Sequence, residues 1–128
     1  MTIRIVRLGS PRAKDEGVRI GTVRRPPRGV PKAEFASRDF YDIWYPMLSP
    51  APELVQEAQA AHDQAGWDRF VKHFRKQMSE AEPSRTLDLL AALSHQSHFA
   101  IGCYCEDEAH CHRSVLRQLL AERGADLA

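Results

Sequence analysis

The chain has 128 residues, of which 43% are hydrophobic and 27% are charged, and its net charge is +1. These values predict one soluble globular domain, residues 1–128, and give no bulk electrostatic reason to expect a nucleic acid or a membrane as partner. Residues 1–10 lack the apolar centre of a signal peptide, and three clustered cysteines do not make a secreted disulfide framework, so we expect a cytoplasmic location.

The strands are predicted from short runs of β-branched and apolar residues. Three such runs lie near residues 2–8, 18–24 and 98–105. Between the second and third runs, the segment 32–50 mixes aromatic residues with turn residues, and it predicts a short helix and a loop that covers an edge or a pocket.

The helices are predicted from apolar residues that recur at helical spacing. One helix begins at Pro52, because proline and an acid are favoured in a first turn, and Gly66 is expected to separate it from the next helix. A third helix is predicted after Pro83, and a fourth is predicted after Cys111. The strongest core-facing pattern belongs to the second helix and consists of Trp67, Phe70, Val71, Phe74 and Met78. Together with the strands, these helices predict a small single-domain three-layer α/β fold with a short, mainly parallel sheet flanked by helices.

The stretch 99–120 contains all three cysteines of the chain. Its apolar beginning predicts a buried strand, the acids Glu106–Glu108 predict a loop, and the leucines near its end predict an amphipathic helix. Ligands of open α/β sheets bind outside the carboxyl ends of the strands, so this junction is the expected place for a site. We expect Ile101 to be buried and Glu106 to lie at or beyond the strand end.

One interpretation of this junction is a site for zinc or iron. Cys103 and Cys105 lie on the same face of a strand, and Cys111 returns six residues later beside His110, which together make a candidate ligand set. The spacing is a poor match to structural zinc motifs, in which paired cysteines lie two to four residues apart. We therefore favour the interpretation that the cysteines are buried core residues and not metal ligands. His112, on the inner face of the helix, is interpreted in the same way.

A second interpretation is catalysis by a cysteine. A cysteine near a helix N-terminus has its thiolate stabilised by the helix dipole and by a cation such as Arg113, which makes Cys105 and Cys111 candidate catalytic residues. Glu106 is a candidate acid or base beside them. The distance along the chain from Cys105 to Arg113 does not fit the C-x5-R loop of phosphatases, and the acids 106–108 would repel a phosphate.

The arginines suggest an anionic ligand. Arg24 and Arg28 flank two prolines that restrict their loop, although a solvated surface loop is an equally good interpretation. Arg113 lies in the first turn of a helix, where the dipole disfavours a cation, so we expect a partner. That partner is either an acid of the loop 106–107 or, as we favour, a ligand phosphate or carboxylate held in a planar grip. The candidate ligand-binding residues are Arg24, Arg28, Trp44, His112 and Arg113, with Trp44 more often a packing residue in such positions.

The C-terminal half of the junction, Cys105-Glu106 followed by Cys111-His112-Arg113, resembles the signature of the domain of unknown function 488 (DUF488) family. The early segment 18–30 resembles the YeaO-like branch of that family, whose pattern is R-I-L-V-D-R-x-W-P-R-G. Six positions match, whereas Val23 replaces the aspartate and Pro26 replaces the tryptophan. The matching residues are Arg19, Ile20, Arg24, Pro27, Arg28 and Gly29. The resemblance implies a small α/β fold and brings no established activity with it.

Two classes of function are compatible with these residues and with the family resemblance. One is a small enzyme acting on a phosphate- or carboxylate-bearing ligand, such as a nucleotide, at a rim built by Arg24, Arg28 and the junction Cys105–Arg113. The other is a non-catalytic module that binds a metal, a nucleotide or a nucleic acid. An enzyme should lose activity and keep its fold in Glu106→Gln, whereas a metal module should purify with stoichiometric zinc or iron.

Overall fold

A four-stranded parallel sheet forms the centre of the computed structural model, which describes residues 1–128. The strands are β1 (Ile3–Arg7), β2 (Val18–Gly21), β3 (Ile43–Trp44) and β4 (Phe99–Cys103). The helices are α1 (Pro52–Ala60), α2 (Gln64–Met78), α3 (Ala81–Leu93) and α4 (His112–Glu122). Three short 3-10 turns cover Lys32–Glu34, Pro46–Leu48 and Glu108–His110. None of the four helices combines the length and the hydropathy needed to cross a bilayer.

The strand order is β1-β4-β2-β3, so the last strand in sequence lies between the first two. All three ladders are parallel, and Ile5, Ile101 and Ile20 are aligned across β1, β4 and β2. The three predicted strands are confirmed, although β2 ends three residues earlier than predicted and the ends of β1 and β4 are shorter by one or two residues. The two-residue strand β3, in the segment where a helix and a loop were expected, was not predicted from the sequence.

One face of the sheet carries the main core. The aligned isoleucines meet apolar side chains from all four helices, with α2 supplying the largest contribution. The predicted stripe of α2 is confirmed, because Trp67, Phe70, Phe74 and Met78 are buried. The break before α2 lies at residues 61–63 and not at Gly66, because Asp63 caps the helix by accepting a hydrogen bond from the Gly66 amide at 2.8 Å.

The opposite face of the sheet is covered by irregular chain and not by helices. The α/β fold with a parallel sheet is confirmed, and its third layer consists of loops around residues 8–17 and 35–42. Arg19 projects into this layer, where its guanidinium donates to Glu16 at 2.7 and 2.9 Å and to two backbone carbonyls. Gly21 lets Tyr41 pack against β2, because a Cβ at this position would lie 2.4 Å from the tyrosine ring.

Candidate functional site

The carboxyl ends of β1, β4 and β2 meet at one edge of the sheet. The amide of Leu8 donates to the Cys103 carbonyl at 2.8 Å, and the amide of Thr22 donates to the Gly102 carbonyl at 2.9 Å. Hydrogen bonding therefore continues one residue past β1 and β2 and holds Thr22 beside the end of β4. As expected, Ile101 is buried within β4, and Glu106 lies beyond the strand end.

Four sulfur and nitrogen donors gather at this edge. The Sγ atoms of Cys103 and Cys105 are 3.9 Å apart, and all three cysteines are free thiols. The donor atoms of Cys103, Cys111 and His112 all lie within 4.8 Å of one another, and these three residues are buried. Cys105 is exposed and forms the outer side of the group. We refer to these four residues as the thiol–imidazole cluster.

The position of His112 is fixed by the chain that follows β2. Its Nε2 lies 2.7 Å from the Thr22 carbonyl oxygen, which can only accept a hydrogen bond, so Nε2 carries the hydrogen. In the neutral ring, the lone pair is then on Nδ1, which is 3.8 Å from the Cys111 Sγ. The ring also contacts Phe74 edge-on, with centroids 5.7 Å apart. His112 is therefore oriented with its basic nitrogen toward the sulfurs.

Arg113 is a buried cation, 3% exposed, that contacts no carboxylate. Its Nη2 donates to the Cys105 carbonyl at 2.6 Å, and its Nε donates to the Cys111 Sγ at 3.4 Å. Loss of hydration makes a buried guanidinium costly unless negative charge lies beside it. The contact with Cys111, which is also the N-cap residue of α4, therefore favours a thiolate at this sulfur.

The surroundings shift the thiol pKa values of Cys103 and Cys111 in opposite directions. Hydrogen bonds from Cys103 and Cys105 lower the pKa of Cys111, and His112 lowers it further, against the effect of burial. The pKa of Cys103 is raised because its thiol donates to Cys105 and Cys111 and because it is buried. Of these two thiols, Cys111 is therefore the one whose thiolate the surroundings favour.

The acidic loop turns its carboxylates away from Arg113. The Glu106 side chain is 82% exposed and lies 3.5 Å from Arg7. Asp107 accepts a hydrogen bond from the Ala109 amide. Glu108 and Arg117 form a bidentate ion pair at 2.8 and 3.0 Å, which fixes the 3-10 turn against α4. Neither of the loop acids proposed as partners of Arg113 contacts it.

His110, the histidine included in the predicted metal set, lies outside the cluster. Its Nδ1 is 2.9 Å from Asp107, and its ring meets Trp67 with centroids 5.6 Å apart. Of the predicted metal set, Cys103 and Cys111 lie in one buried group and Cys105 lies beside Cys103, but the histidine of that group is His112 and not His110.

The predicted anion-binding residues have separate surroundings. Arg24 donates to the carbonyls of Ser49 and Pro50 at 3.0 and 3.1 Å, and it thereby ties its loop to the chain before α1. Arg28 is exposed and has no hydrogen-bond or ion-pair partner. Trp44 is about half exposed in β3, and its indole donates to the Val23 carbonyl at 2.8 Å. Of the ligand-binding candidates, only His112 belongs to the cluster, and Arg113 contacts it through Cys105 and Cys111.

Thr22 was not identified from the sequence. Besides its carbonyl contact with His112, its hydroxyl donates to the Gly102 carbonyl at 3.0 Å, so it links β2, β4 and α4. The available signal was its place near the end of a predicted parallel strand, because such ends meet at one edge.

The family model described as the active DUF488-N3 subclade (DUF488-N3a) matches residues 3–124. The chain belongs to the DUF488 family. The match extends from β1 to the end of α4 and includes the whole thiol–imidazole cluster, whereas the YeaO-like branch stays a prediction. No curated protein and no solved structure matches the chain.

Proposed function

We propose that this DUF488 protein binds a zinc ion in the thiol–imidazole cluster, with Cys103, Cys111 and His112 as buried ligands and Cys105 as the fourth. The observation that carries the proposal is that the donor atoms of the three buried residues lie within 4.8 Å of one another. Thiolate sulfur and imidazole nitrogen are the donors that zinc prefers in tetrahedral sites. The coarser statement, that a buried group able to hold a metal is present, does not depend on the identity of the ion.

The spacing of the donors supports this assignment. Tetrahedral zinc with Zn–S bonds of about 2.3 Å places neighbouring ligand atoms about 3.8 Å apart. The Cys103–Cys105 sulfurs are separated by 3.9 Å, and the Cys111 Sγ and His112 Nδ1 are separated by 3.8 Å. Each pair therefore has the separation expected of two ligands of one zinc ion, and binding would draw Cys105 toward the three buried donors.

The charge of Arg113 and the orientation of His112 also support the zinc assignment. Three thiolates around Zn²⁺ leave one negative charge, and the buried guanidinium of Arg113 is in position to balance it. A ligand histidine usually donates its other ring N–H to a carbonyl or a carboxylate, as His112 does to Thr22. The charge of Arg113 and the orientation of His112 therefore both support zinc binding in the cluster.

Metal analysis of protein expressed with zinc and iron both in the medium tests the proposal. We expect one zinc per folded chain, because a tetrahedral site of sulfur and nitrogen suits zinc, whereas iron would give the protein a visible colour. His112→Ala should lose the metal and melt at a lower temperature, since metal binding is linked to folding. His110→Ala is the matched control and should keep it. Retention of zinc in His112→Ala but not in His110→Ala would contradict this ligand set.

A second candidate is an enzyme that uses the Cys111 thiolate on an anionic ligand. It is favoured by the contact of Arg113 with Cys111 and by the word "active" in the description of the family model. In this case Glu106 would act as acid or base, and Arg24, Arg28 and Trp44 would lie along the ligand. Unpaired thiols suit a reducing compartment, and the cytoplasm is the location that we propose.

The two candidates differ in a direct experiment. The thiolate enzyme predicts metal-free folded protein, a thermal shift with one member of a panel of anions and nucleotides, and loss of that shift in Arg28→Lys and Arg113→Lys at unchanged melting temperature. Absence of any shift with wild-type protein would remove the support for the anion site.

A further inference from the structure

We propose that Cys105 occupies an exchangeable coordination position, which a small thiol can take in its place. This inference rests on the zinc centre proposed above and assigns it a ligand. It starts from the unequal burial of the four donors, because three of them are buried and Cys105 is exposed.

The three buried ligands are fixed by regular structure. Cys103 is the last residue of β4, where it is aligned with Arg7 of β1 and accepts a hydrogen bond from Leu8. Cys111 is the N-cap residue of α4, and His112 is the first residue of that helix. These positions cannot move without disturbing the sheet or the helix.

Cys105 is held differently. It lies in the loop between β4 and the 3-10 turn, and its carbonyl is fixed by Arg113 at 2.6 Å. This contact holds the backbone of the loop and leaves the exposed side chain able to rotate. The thiol can therefore leave the centre while the loop stays in place.

The charge of the buried Arg113 determines which class of small molecule can replace Cys105. Replacement of the Cys105 thiolate by a neutral donor would remove the negative charge that balances the buried Arg113 guanidinium. A thiolate from a small molecule preserves both this charge and the donor type. In the exchange, the Zn–S bond to Cys105 breaks, a Zn–S bond to the incoming sulfur forms, and the proton of the incoming thiol passes to Cys105. Three fixed ligands and one open position also describe catalytic zinc sites, where the substrate or water takes the fourth place.

The test uses cobalt in place of zinc, because cobalt reports its ligands in the absorption spectrum. Cys105→Ala and Cys105→Ser should keep one metal per chain, with a weaker thiolate-to-cobalt charge-transfer band than wild type. Addition of 2-mercaptoethanol should restore the band toward the wild-type intensity. Cys103→Ala is the matched control and should lose the metal, because it removes a buried ligand.

Two results overturn the inference while the zinc centre stands. One is loss of metal in both Cys105 variants to the same extent as in Cys103→Ala, which would identify a closed structural site with four essential ligands. The other is a Cys105→Ala cobalt spectrum that does not respond to the added thiol. Failure of wild-type protein to bind zinc or cobalt overturns the proposed function itself, so the two failures are distinguishable.

Discussion

The buried ion pair between Glu16 and Arg19 makes a strong prediction about stability. Both side chains are almost completely buried, at 3% and 0% exposure, and they are joined by two hydrogen bonds of 2.7 and 2.9 Å. Glu16→Gln keeps the shape of the side chain and removes its charge. The buried guanidinium is then left with carbonyl and amide oxygens but without a counter-ion.

Removing one partner of a buried ion pair costs about 3–5 kcal/mol. A chain of 128 residues has an unfolding entropy of about 0.27 kcal/mol/K near its melting temperature. We therefore expect the melting temperature of Glu16→Gln to fall by about 11–19 °C, measured by scanning calorimetry at pH 7. Urea unfolding of the same proteins gives the change in free energy directly.

The pH dependence follows from the pKa of Glu16. Burial raises this pKa, but the hydrogen bonds from Arg19 and from the Ala13 amide lower it by more, so it lies below its usual range in the folded protein. A carboxyl group of this kind stabilises the fold above its unfolded pKa of about 4.3, and the stabilisation is lost as the pH falls through the lower folded value. The difference between wild type and Glu16→Gln should be constant above about pH 5 and should shrink below about pH 4.

The control for this prediction is Asp15→Asn. Asp15 also pairs with an arginine, Arg4, at 3.1 Å, but its side chain is 64% exposed. Exposed pairs contribute about 1 kcal/mol or less, so the control should melt within about 4 °C of wild type. A loss of no more than about 1 kcal/mol in Glu16→Gln would refute the assignment of this pair as a buried structural contact.

Three further predictions concern the strand ends. Gly21→Ala should lower stability by about 1–3 kcal/mol in urea unfolding, because the new Cβ would lie 2.4 Å from the Tyr41 ring; an unchanged midpoint would contradict the packing. Glu106→Gln should melt within about 2 °C of wild type, because the side chain is 82% exposed; a larger loss would make this acid structural. Denatured, metal-free protein should show three free thiols without reduction, because Cys103 and Cys105 on an extended chain have Cα atoms roughly 6.5 Å apart, which strains a disulfide. A count of one would contradict this.

The parts of the fold that were predictable depend on local pattern. The stripe of α2 and the apolar run of β4 could be recognised because each element repeats its buried positions at its own period. Strand β3 could not be recognised, because its two residues are too few to show a period and pair only through β2. The start of α2 was placed wrongly, because the capping preference of Asp63 is stronger than the helix-breaking tendency of Gly66.

The site was predictable in position but not in its contacts. The apolar run followed by acids, cysteines and a helix marked the junction, where Cys103 lies close to Cys111 and to Cys105. The choice of His112 over His110 depends on where α4 begins and on the carbonyl of Thr22, which is 90 residues away in sequence. The partners of Arg24 likewise come from residues 49–50. Contacts between residues that are far apart in the sequence cannot be predicted from the spacing of residues within one segment.

The metal content of the wild-type protein tests the central claim most directly. Folded protein is purified without chelators, reconstituted with zinc, dialysed and measured by elemental mass spectrometry alongside the His110→Ala and His112→Ala variants. The zinc centre predicts one zinc per chain in wild type and His110→Ala, and none in His112→Ala. Folded wild-type protein that retains no zinc, with all three thiols open to alkylation, would contradict it.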